Sequence, residues 1–500
     1  MIDLLHGLLD EAASRFGPSP AISCGGRTLS YSELEAASHG VGRLLLERGV
    51  RRGDRVVVLL PPSPVTPPIL YACARIGAAF VILHEQVRGA GLAHVLSDAE
   101  PRLLVTGDEA ALAQAKARGV AVATPGEIAE AAAVPGPPAD PAEPPLPVDP
   151  VCLIYTSGST GMPKAVVSTH AQMVYAARAI QARLAYRPGD VVFCALPLAF
   201  DYGLYQLLLA ALGGAHVQLR SAAQAGGSLA RDLCESGATV LPAVPSLAQN
   251  LALLLDRLGG RPPALRLLTN TGAAMNVEVL ATLRRHIPGM RVQLMFGLTE
   301  CKRATIMPPD EDLRRPGACG LPLPGTEVFV VGDDGRRLPA GEIGEIVVRG
   351  PNVMAGYWRR PGLTEARFLR AEGLFPELRT GDYGRLDADG YLYFAGRRDD
   401  VYKERGFRVS ATEVETAAQR VPGVRAAAVL PPAAGRPDAV LVAATDLPPH
   451  EVLRLLRGEL EPYKVPARCL TLGALPLNGN GKTDKRALAE HVPELTGAPA

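Results

Sequence analysis

Thr156-Ser157-Gly158-Ser159-Thr160-Gly161-Met162-Pro163-Lys164 follows directly on the apolar and aromatic run Val151–Tyr155, and this junction of a buried strand with a loop decides how the chain is read. Four hydroxyls, two glycines and one lysine within nine residues offer backbone N–H groups, O–H donors and a cation. That is the equipment for cradling a polyphosphate. Gly161 is followed by Met and Pro, and the lysine lies three residues on, so the loop is not the GxxxxGK[ST] nucleotide loop of kinases and GTPases.

Outward from this loop, helix-like and strand-like segments alternate. Ser32 to Glu35 reads as an S-x-x-E capping box opening a helix that runs to about Gly49, and the strand Val56 to Leu60 follows. Helical residues around Leu92 precede the strand Leu103 to Thr106, and a helix over 276–286 precedes Val292 to Met295. Such alternation predicts a mostly parallel sheet covered by helices. Val134 to Pro150 is rich in Pro, Ala and acid and reads as a surface connection. Beyond about residue 320, short strands and turns such as Gly332-Asp-Asp-Gly335 and Asp387-Ala-Asp-Gly390 predict a β-rich subdomain. Near residue 400 a further unit begins, with Thr412 to Glu415 as a second capping box and Val414, Ala417, Ala418 and Val421 on one helix face. The fold class expected is α/β: a large N-terminal domain, 1–396, with mostly parallel sheets plus a β-rich subdomain, and a small α+β C-terminal domain, 397–500.

Composition narrows the function classes. With 500 residues a single core is exceeded, and 52 Lys+Arg against 51 Asp+Glu give no support to nucleic-acid or membrane-surface binding. The eight cysteines stand singly, without a metal-ligand spacing or a disulfide framework, which fits a reducing cytoplasm. The N-terminus, with Asp3 and Asp10, lacks the basic and apolar regions of a secretory signal; it reads as an amphipathic helix through Leu4, Leu5, Leu8, Leu9 and Ala12. Apolar stretches such as Leu204 to Leu212 are shorter than the ~20 residues that span a bilayer.

The loop 156–164 resembles the phosphate loop of the adenylate-forming superfamily of acyl-CoA synthetases, nonribosomal-peptide adenylation domains and luciferases, and further motifs arrive in that family's order. Phe296-Gly-Leu-Thr299-Glu300 resembles its aromatic-Gly-x-Thr-Glu motif, and Arg379-Thr-Gly-Asp382 its R-T-G-D motif. Gly396-Arg397-Arg398-Asp399 with Lys403-Glu-Arg405-Gly406-Phe-Arg408 resembles its hinge and glycine loop, and Asn478-Gly-Asn-Gly481-Lys482 its C-terminal lysine motif. Taken singly, Asp382 reads equally as a turn residue, Glu300 as a helix cap and Lys482 as a solvated loop lysine; their order along nearly the whole chain is what speaks.

The resemblance implies ATP-dependent activation of a carboxylic acid to its acyl-adenylate, with Mg²⁺, release of pyrophosphate and transfer to a thiol. It implies that Thr156, Ser157, Gly158, Ser159, Thr160 and Lys164 hold phosphates. Gly272, Ala273, Ala274 and Phe296 would line adenine, Asp382 the ribose, and Arg397 ribose or phosphate. Glu300 would hold the metal, Thr299 the α-phosphate, and Lys482 the meeting point of carboxylate and phosphate. A carboxylate approaching a triphosphate is anion against polyanion, and each such pair at ~4 Å costs several kcal/mol at an effective dielectric near 20, so cations belong at the reacting centre. Asp399 would be the hinge of a mobile C-terminal domain, and Gly406 would leave room for a pantetheine arm.

Phe200-Asp201 resembles the Phe-Asp motif of members that activate amino acids. An anionic Asp201 in an apolar pocket needs a cation, which a substrate ammonium supplies. Lys302 and Arg303, after Glu300, depart from the small or apolar residues usual in the family and suit the carboxylates of a substrate, with Thr271 or Asn270 as a polar helper; they read equally as cations serving phosphate or solvent. The pattern is similar to stand-alone enzymes for β-amino or aspartate-like acids. Three readings stand: a small amino acid, β-amino or acidic, loaded onto a discrete carrier protein or CoA; a fatty-acyl or aryl acid CoA ligase; and a nucleotide-binding relative without turnover. No carrier domain is expected after Lys482.

Overall fold

The computed structural model describes residues 3–156, 163–258, 262–272, 274–370, 376–397, 401–404, 407–433, 436, 438–460, 464–477 and 483–495. Its contacts divide the chain into one unit of residues 1–328 with 348–379 and a second of 329–347 with 380–500. Among the described residues no helix is long and apolar enough to cross a membrane.

The N-terminal amphipathic reading holds: a helix spans Gly7–Phe16 and buries Leu8, Leu9 and Ala12. The next helix, Tyr31–Glu47, is capped by Ser30, two residues before the cap expected at Ser32. The sequence Ser30-Tyr-Ser32-Glu33-Leu-Glu35 contains two overlapping S-x-x-E matches, and the first forms. Ser30 Oγ accepts from the Glu33 N–H at 3.2 Å while the Glu33 carboxylate takes the Ser30 N–H at 2.7 Å. Glu35, inside the helix, pairs instead with His39 at 2.9 Å.

Two large sheets build the first unit. The nine-stranded sheet is ordered Leu321–Pro322, Thr305–Ile306, Arg291–Phe296, Leu267–Asn270, Val240–Ala243, Val191–Cys194, His216–Leu219, Pro20–Cys24, Arg27–Ser30. Its central strands are parallel and its margins antiparallel. The seven-stranded sheet has the parallel centre Pro150–Thr156, Ala79–Leu83, Arg55–Leu59, Leu103–Thr106, Ala121–Ala123, closed by the antiparallel strands Lys164–Thr169 and Gly356–Tyr357. The helix Asp201–Gly213 is buried along nearly its whole length, as expected for one that is apolar all round. It packs into a single core with the strand residues Ile22, Val192 and Val217 of one sheet and Val56, Phe80 and Ile154 of the other.

In the second unit, Thr380–Leu386 and Leu392–Arg397 lie antiparallel with Asp382 opposite Arg397. Thr380 Oγ1 donates to the Ile346 carbonyl at 2.6 Å, and the Gly381 N–H donates to Glu345 at 3.0 Å. These long-range bonds tie 329–347 to 380–397, and both segments fall in one unit with the C-terminal residues, whereas the sequence reading set the break between 396 and 397. The C-terminal residues form a three-stranded sheet, Ala426–Leu430, Val440–Ala444 and Arg468–Leu472, with helices Ala411–Arg420, Pro449–Leu456 and Lys485–Leu495. The helix face Val414, Ala417, Ala418 and Val421 is buried as expected. The capping box at Thr412 does not form, because the helix already begins at Ala411. Glu415 instead accepts the Val429 N–H at 2.7 Å and pairs with Lys485 at 2.9 Å, tying helix to sheet.

Candidate functional site

The strands Val191–Cys194, Val240–Ala243, Leu267–Asn270 and Arg291–Phe296 run in one direction, so their C-terminal ends share an edge of the nine-stranded sheet. In open α/β sheets ligands bind outside that edge. Thr271 and Gly272 follow directly on one of these ends, Phe296 closes another with Gly297 to Arg303 after it, and Phe200 and Asp201 come six and seven residues after Cys194.

At one side of the edge, Arg303 Nη1 donates to Asp201 Oδ2 at 2.7 Å, and the two side chains are only 5% and 15% exposed. The sequence proposed each for the acid pocket, and the structure brings them together. Lys302 is fully buried, and its Nζ has no hydrogen-bond partner among the described residues; the Tyr205 ring lies 5.9 Å from it. Lys302 also holds a left-handed backbone, φ +60°, a conformation that costs a non-glycine residue on the order of 1 kcal/mol and persists where the surroundings enforce it. Thr271 is buried, its hydroxyl without a partner among the described residues, whereas Asn270 spends its amide on the Ala243 carbonyl at 3.1 Å. Of the two proposed helpers, Thr271 therefore keeps its hydrogen-bonding capacity. Phe200 is 40% exposed, its ring 6.1 Å from that of His84.

At the other side, Glu300 is buried and accepts the Tyr357 O–H at 2.7 Å on Oε1. Lys164 Nζ stands 3.9 Å from Glu300 and 3.9 Å from the centre of the Tyr357 ring. Burial pulls the Lys164 ammonium below its ordinary pKa, Arg367 adds to that, and Glu300 opposes both. Burial and then Glu300 push the Tyr357 phenol far above its ordinary range, so it remains a donor. Thr299 is half-buried one residue before Glu300, and Thr156 Oγ1 reaches the Lys164 carbonyl at 3.5 Å across the ends of the phosphate loop. Phe296 closes its strand, buried, while Gly272, at φ +88°, and Ala274 are exposed beside it.

One turn, Glu300 to Arg303, serves both sides and is held from several directions. Asn352, fully buried, donates to the carbonyls of Cys301 and Arg303 at 3.0 Å each and accepts from Thr326 Oγ1 at 2.9 Å. The Met354 N–H takes the Glu300 carbonyl at 2.8 Å. A Cβ on Gly297 would lie 2.1 Å from the Lys302 carbonyl oxygen, so only glycine lets the turn close. Cys301 within it is fully buried, and its thiol is pushed up to about 12 by burial. Tyr357 and Asn352 were not singled out from the sequence: both lie in Gly350-Pro-Asn-Val-Met-Ala-Gly-Tyr357, which carries no titratable cluster and no ligand spacing.

In the second unit Asp382 is buried, its own N–H bonded to Thr380 Oγ1 at 3.1 Å, and Arg397 Nε lies 3.6 Å from its carboxylate. Ser157, Gly158, Ser159, Thr160, Ala273, Asp399, Gly406 and Lys482 lie outside the described residues. Among the described residues no group of three or more His, Cys, Asp or Glu gathers as a metal site.

Two family models match the chain: AMP-binding enzyme over residues 9–358, and AMP-binding enzyme C-terminal domain over 413–482. A probable non-canonical nonribosomal peptide synthetase, CymA of Salinispora arenicola, is 34% identical over 96% of this chain, which spans 6% of that synthetase's length. Among solved structures, VinN in complex with L-aspartate is 40% identical, with a TM-score of 0.72 over 79% of this chain and 100% of that one. ATP-bound MatB from Rhodopseudomonas palustris is 28% identical, with a TM-score of 0.84 over 98% of this chain and 99% of that one.

Proposed function

Because the chain belongs to the AMP-binding enzyme family, within the adenylate-forming superfamily of AMP-forming acid–thiol ligases, we propose that it activates a small amino acid bearing a second acidic group. The observation that carries this reading is the charge pattern of the acid end. Asp201 and Arg303 satisfy one another, and Lys302 adds a second buried cation. A buried charge without a counter-ion costs several kcal/mol, so the arrangement favours ligands that leave none behind. An amino dicarboxylate does so: its ammonium goes to Asp201 and its distal carboxylate to Arg303 and Lys302, which leaves the reacting carboxylate for the α-phosphorus. A fatty or aryl acid would leave Asp201 and Arg303 occupied with each other and give the pair nothing. L-Aspartate is the ligand of the VinN complex, and that likeness supports the same class.

Chemistry then follows from placement of charge. The reacting carboxylate attacks the α-phosphorus of ATP, and pyrophosphate leaves. Glu300 is a buried carboxylate, and among the described residues no group of three or more His, Cys, Asp or Glu gathers around it; this suits Mg²⁺, an ion usually held by one or two carboxylates with phosphate oxygens and water. The metal would neutralise departing phosphate charge. Thr299 would contact the α-phosphate, Lys164 with Thr156 and residues 157–160 the triphosphate, and Asp382 the ribose with Arg397 beside it. Phe296 with 272–274 would line the adenine. Lys482 would stabilise the anion formed where carboxylate and phosphate meet. The acyl group then passes to the thiol of a discrete carrier protein or CoA, with Asp399 as the hinge and Gly406 on the thiol's path.

Pyrophosphate release measured over a panel of amino, fatty and aryl acids tests this. Turnover is expected to be highest with aspartate-like or β-amino dicarboxylic acids. Turnover confined to fatty or aryl acids would overturn the amino-acid reading, and no ATP consumption with any acid would favour a relative without turnover.

A further inference from the structure

Two tyrosines on the helix Asp201–Gly213, absent from the roles assigned so far, each lie under one of the two adjacent cations. The Arg303 guanidinium carbon stands 4.8 Å above the Tyr202 ring centre, and Lys302 Nζ lies 5.9 Å from that of Tyr205. Tyr202 is itself fixed. Its hydroxyl lies 2.8 Å from both the carbonyl oxygen and the Oγ1 of Thr269, in the strand Leu267–Asn270 that leads to Thr271. Tyr202 is 7% exposed, so its ring has little freedom to leave the guanidinium.

We infer that Tyr202 is a positioning residue that fixes the guanidinium of Arg303, and thereby sets the enzyme's preference for a dicarboxylic over a neutral amino acid. Arg303 is held at three points: one N–H to Asp201, the same nitrogen to the Lys302 carbonyl at 2.8 Å, and its guanidinium carbon over the ring. The first contact is the one a substrate ammonium competes for when it takes Asp201. The ring contact survives that exchange, because the ring attracts the cation without accepting a hydrogen bond from it, which leaves the N–H donors of the fork available for a carboxylate. Without the ring, a guanidinium released by Asp201 would have to be ordered by the substrate itself, at an entropic cost that appears in substrate affinity rather than in the chemical step.

This inference rests on the amino-dicarboxylate reading, and the test separates the two. Pyrophosphate release is measured for the wild type, Tyr202→Leu and Tyr202→Phe with L-aspartate and with its neutral isostere L-asparagine. The Tyr202→Leu enzyme is expected to lose about tenfold or more of its aspartate-over-asparagine preference through KM, with kcat held within about threefold. Tyr202→Phe, which keeps the ring, is expected to retain most of the preference. An unchanged preference in Tyr202→Leu, or an equal loss in both variants, would overturn the role of the ring. A double-mutant cycle in melting temperature between Tyr202→Leu and Arg303→Met needs no substrate. Tyr202→Leu is expected to lower the midpoint less when Arg303 is already Met, and strict additivity would refute the contact even if the wild type proves to activate some other acid.

Discussion

At the scale of single residues, the Asp201–Arg303 pair makes binding and stability separable. Asp201→Asn keeps the shape of the side chain but removes the anion, leaving Arg303, 5% exposed, without its counter-charge. Removing one partner of a buried pair destabilises by about 3–5 kcal/mol; with Asp201 partly solvated, about 2 kcal/mol is the expected scale here. The same change removes the seat for the ammonium, so kcat/KM for amine-bearing acids should fall about 100-fold or more. Pairing Asp201→Asn with Arg303→Met should recover most of the lost stability, read as a urea midpoint, and none of the lost turnover. Recovery of both together would show that the pair is structural and the substrate binds elsewhere. The sequence made these two residues legible because a carboxylate and two cations beside apolar runs stand out in one dimension. It could not show that they touch, since 102 positions separate them and only the crossing of a helix start with a strand-end turn brings them to 2.7 Å.

Elements carry a different kind of dependence, visible at the N-terminal helix Gly7–Phe16. His6, at its N-terminus, hydrogen-bonds the Ala74 carbonyl at 3.1 Å, and His170 Nδ1 accepts the Leu5 N–H at 3.0 Å with no exposure to solvent. Burial first, and then neighbouring positive groups, lower His6 to about 4 and His170 to about 3. Folded, both rings stay neutral at a pH where the unfolded chain, with histidines near 6.5, takes up protons. The unfolded state therefore binds more protons between 6.5 and those lowered values. Stability is full above about 6.5 and declines as pH falls, by up to about 1.4 kcal/mol per pH unit for each ring. Urea midpoints taken between pH 7.5 and 5, above the range where most carboxylates titrate, should fall on acidification, and His170→Gln should flatten the slope. A midpoint that stays level or rises would refute it. Periodicity read this helix through Leu4, Leu5, Leu8, Leu9 and Ala12, of which the last three lie in it, but had no means of finding the histidine from position 170 that closes on its entry. The capping box shifted to Ser30 and the one at Thr412 that does not form have the same origin. The S/T-x-x-E pattern is local, and which copy caps is decided by where the helix starts and by other uses for the glutamate, such as Glu415 holding the Val429 N–H.

For the whole molecule, the alternation of helix and strand was enough to call for parallel sheets with a β-rich region and a smaller C-terminal part, since each rule involved spans a few tens of residues. The grouping of 329–347 with 380–397 was not legible, because it depends on bonds between strands distant in sequence, such as Thr380 to Ile346. The proposed chemistry assigns acid and metal to Asp201, Arg303 and Glu300, and ribose and reacting centre to Asp382 and Lys482. If Lys482 acts on charge that appears only as carboxylate and phosphate meet, its ammonium contributes little to ground-state binding and much to the barrier. Lys482→Ala should then hold ATP and the acid with dissociation constants within about threefold of the wild type, while adenylate formation, followed by pyrophosphate exchange, drops about 100- to 1000-fold. Thioester formation from chemically prepared acyl-adenylate should continue, because that step expels AMP and meets no triphosphate. Equal losses in binding and rate would make the lysine a simple nucleotide anchor, and undiminished exchange would remove it from the reaction altogether.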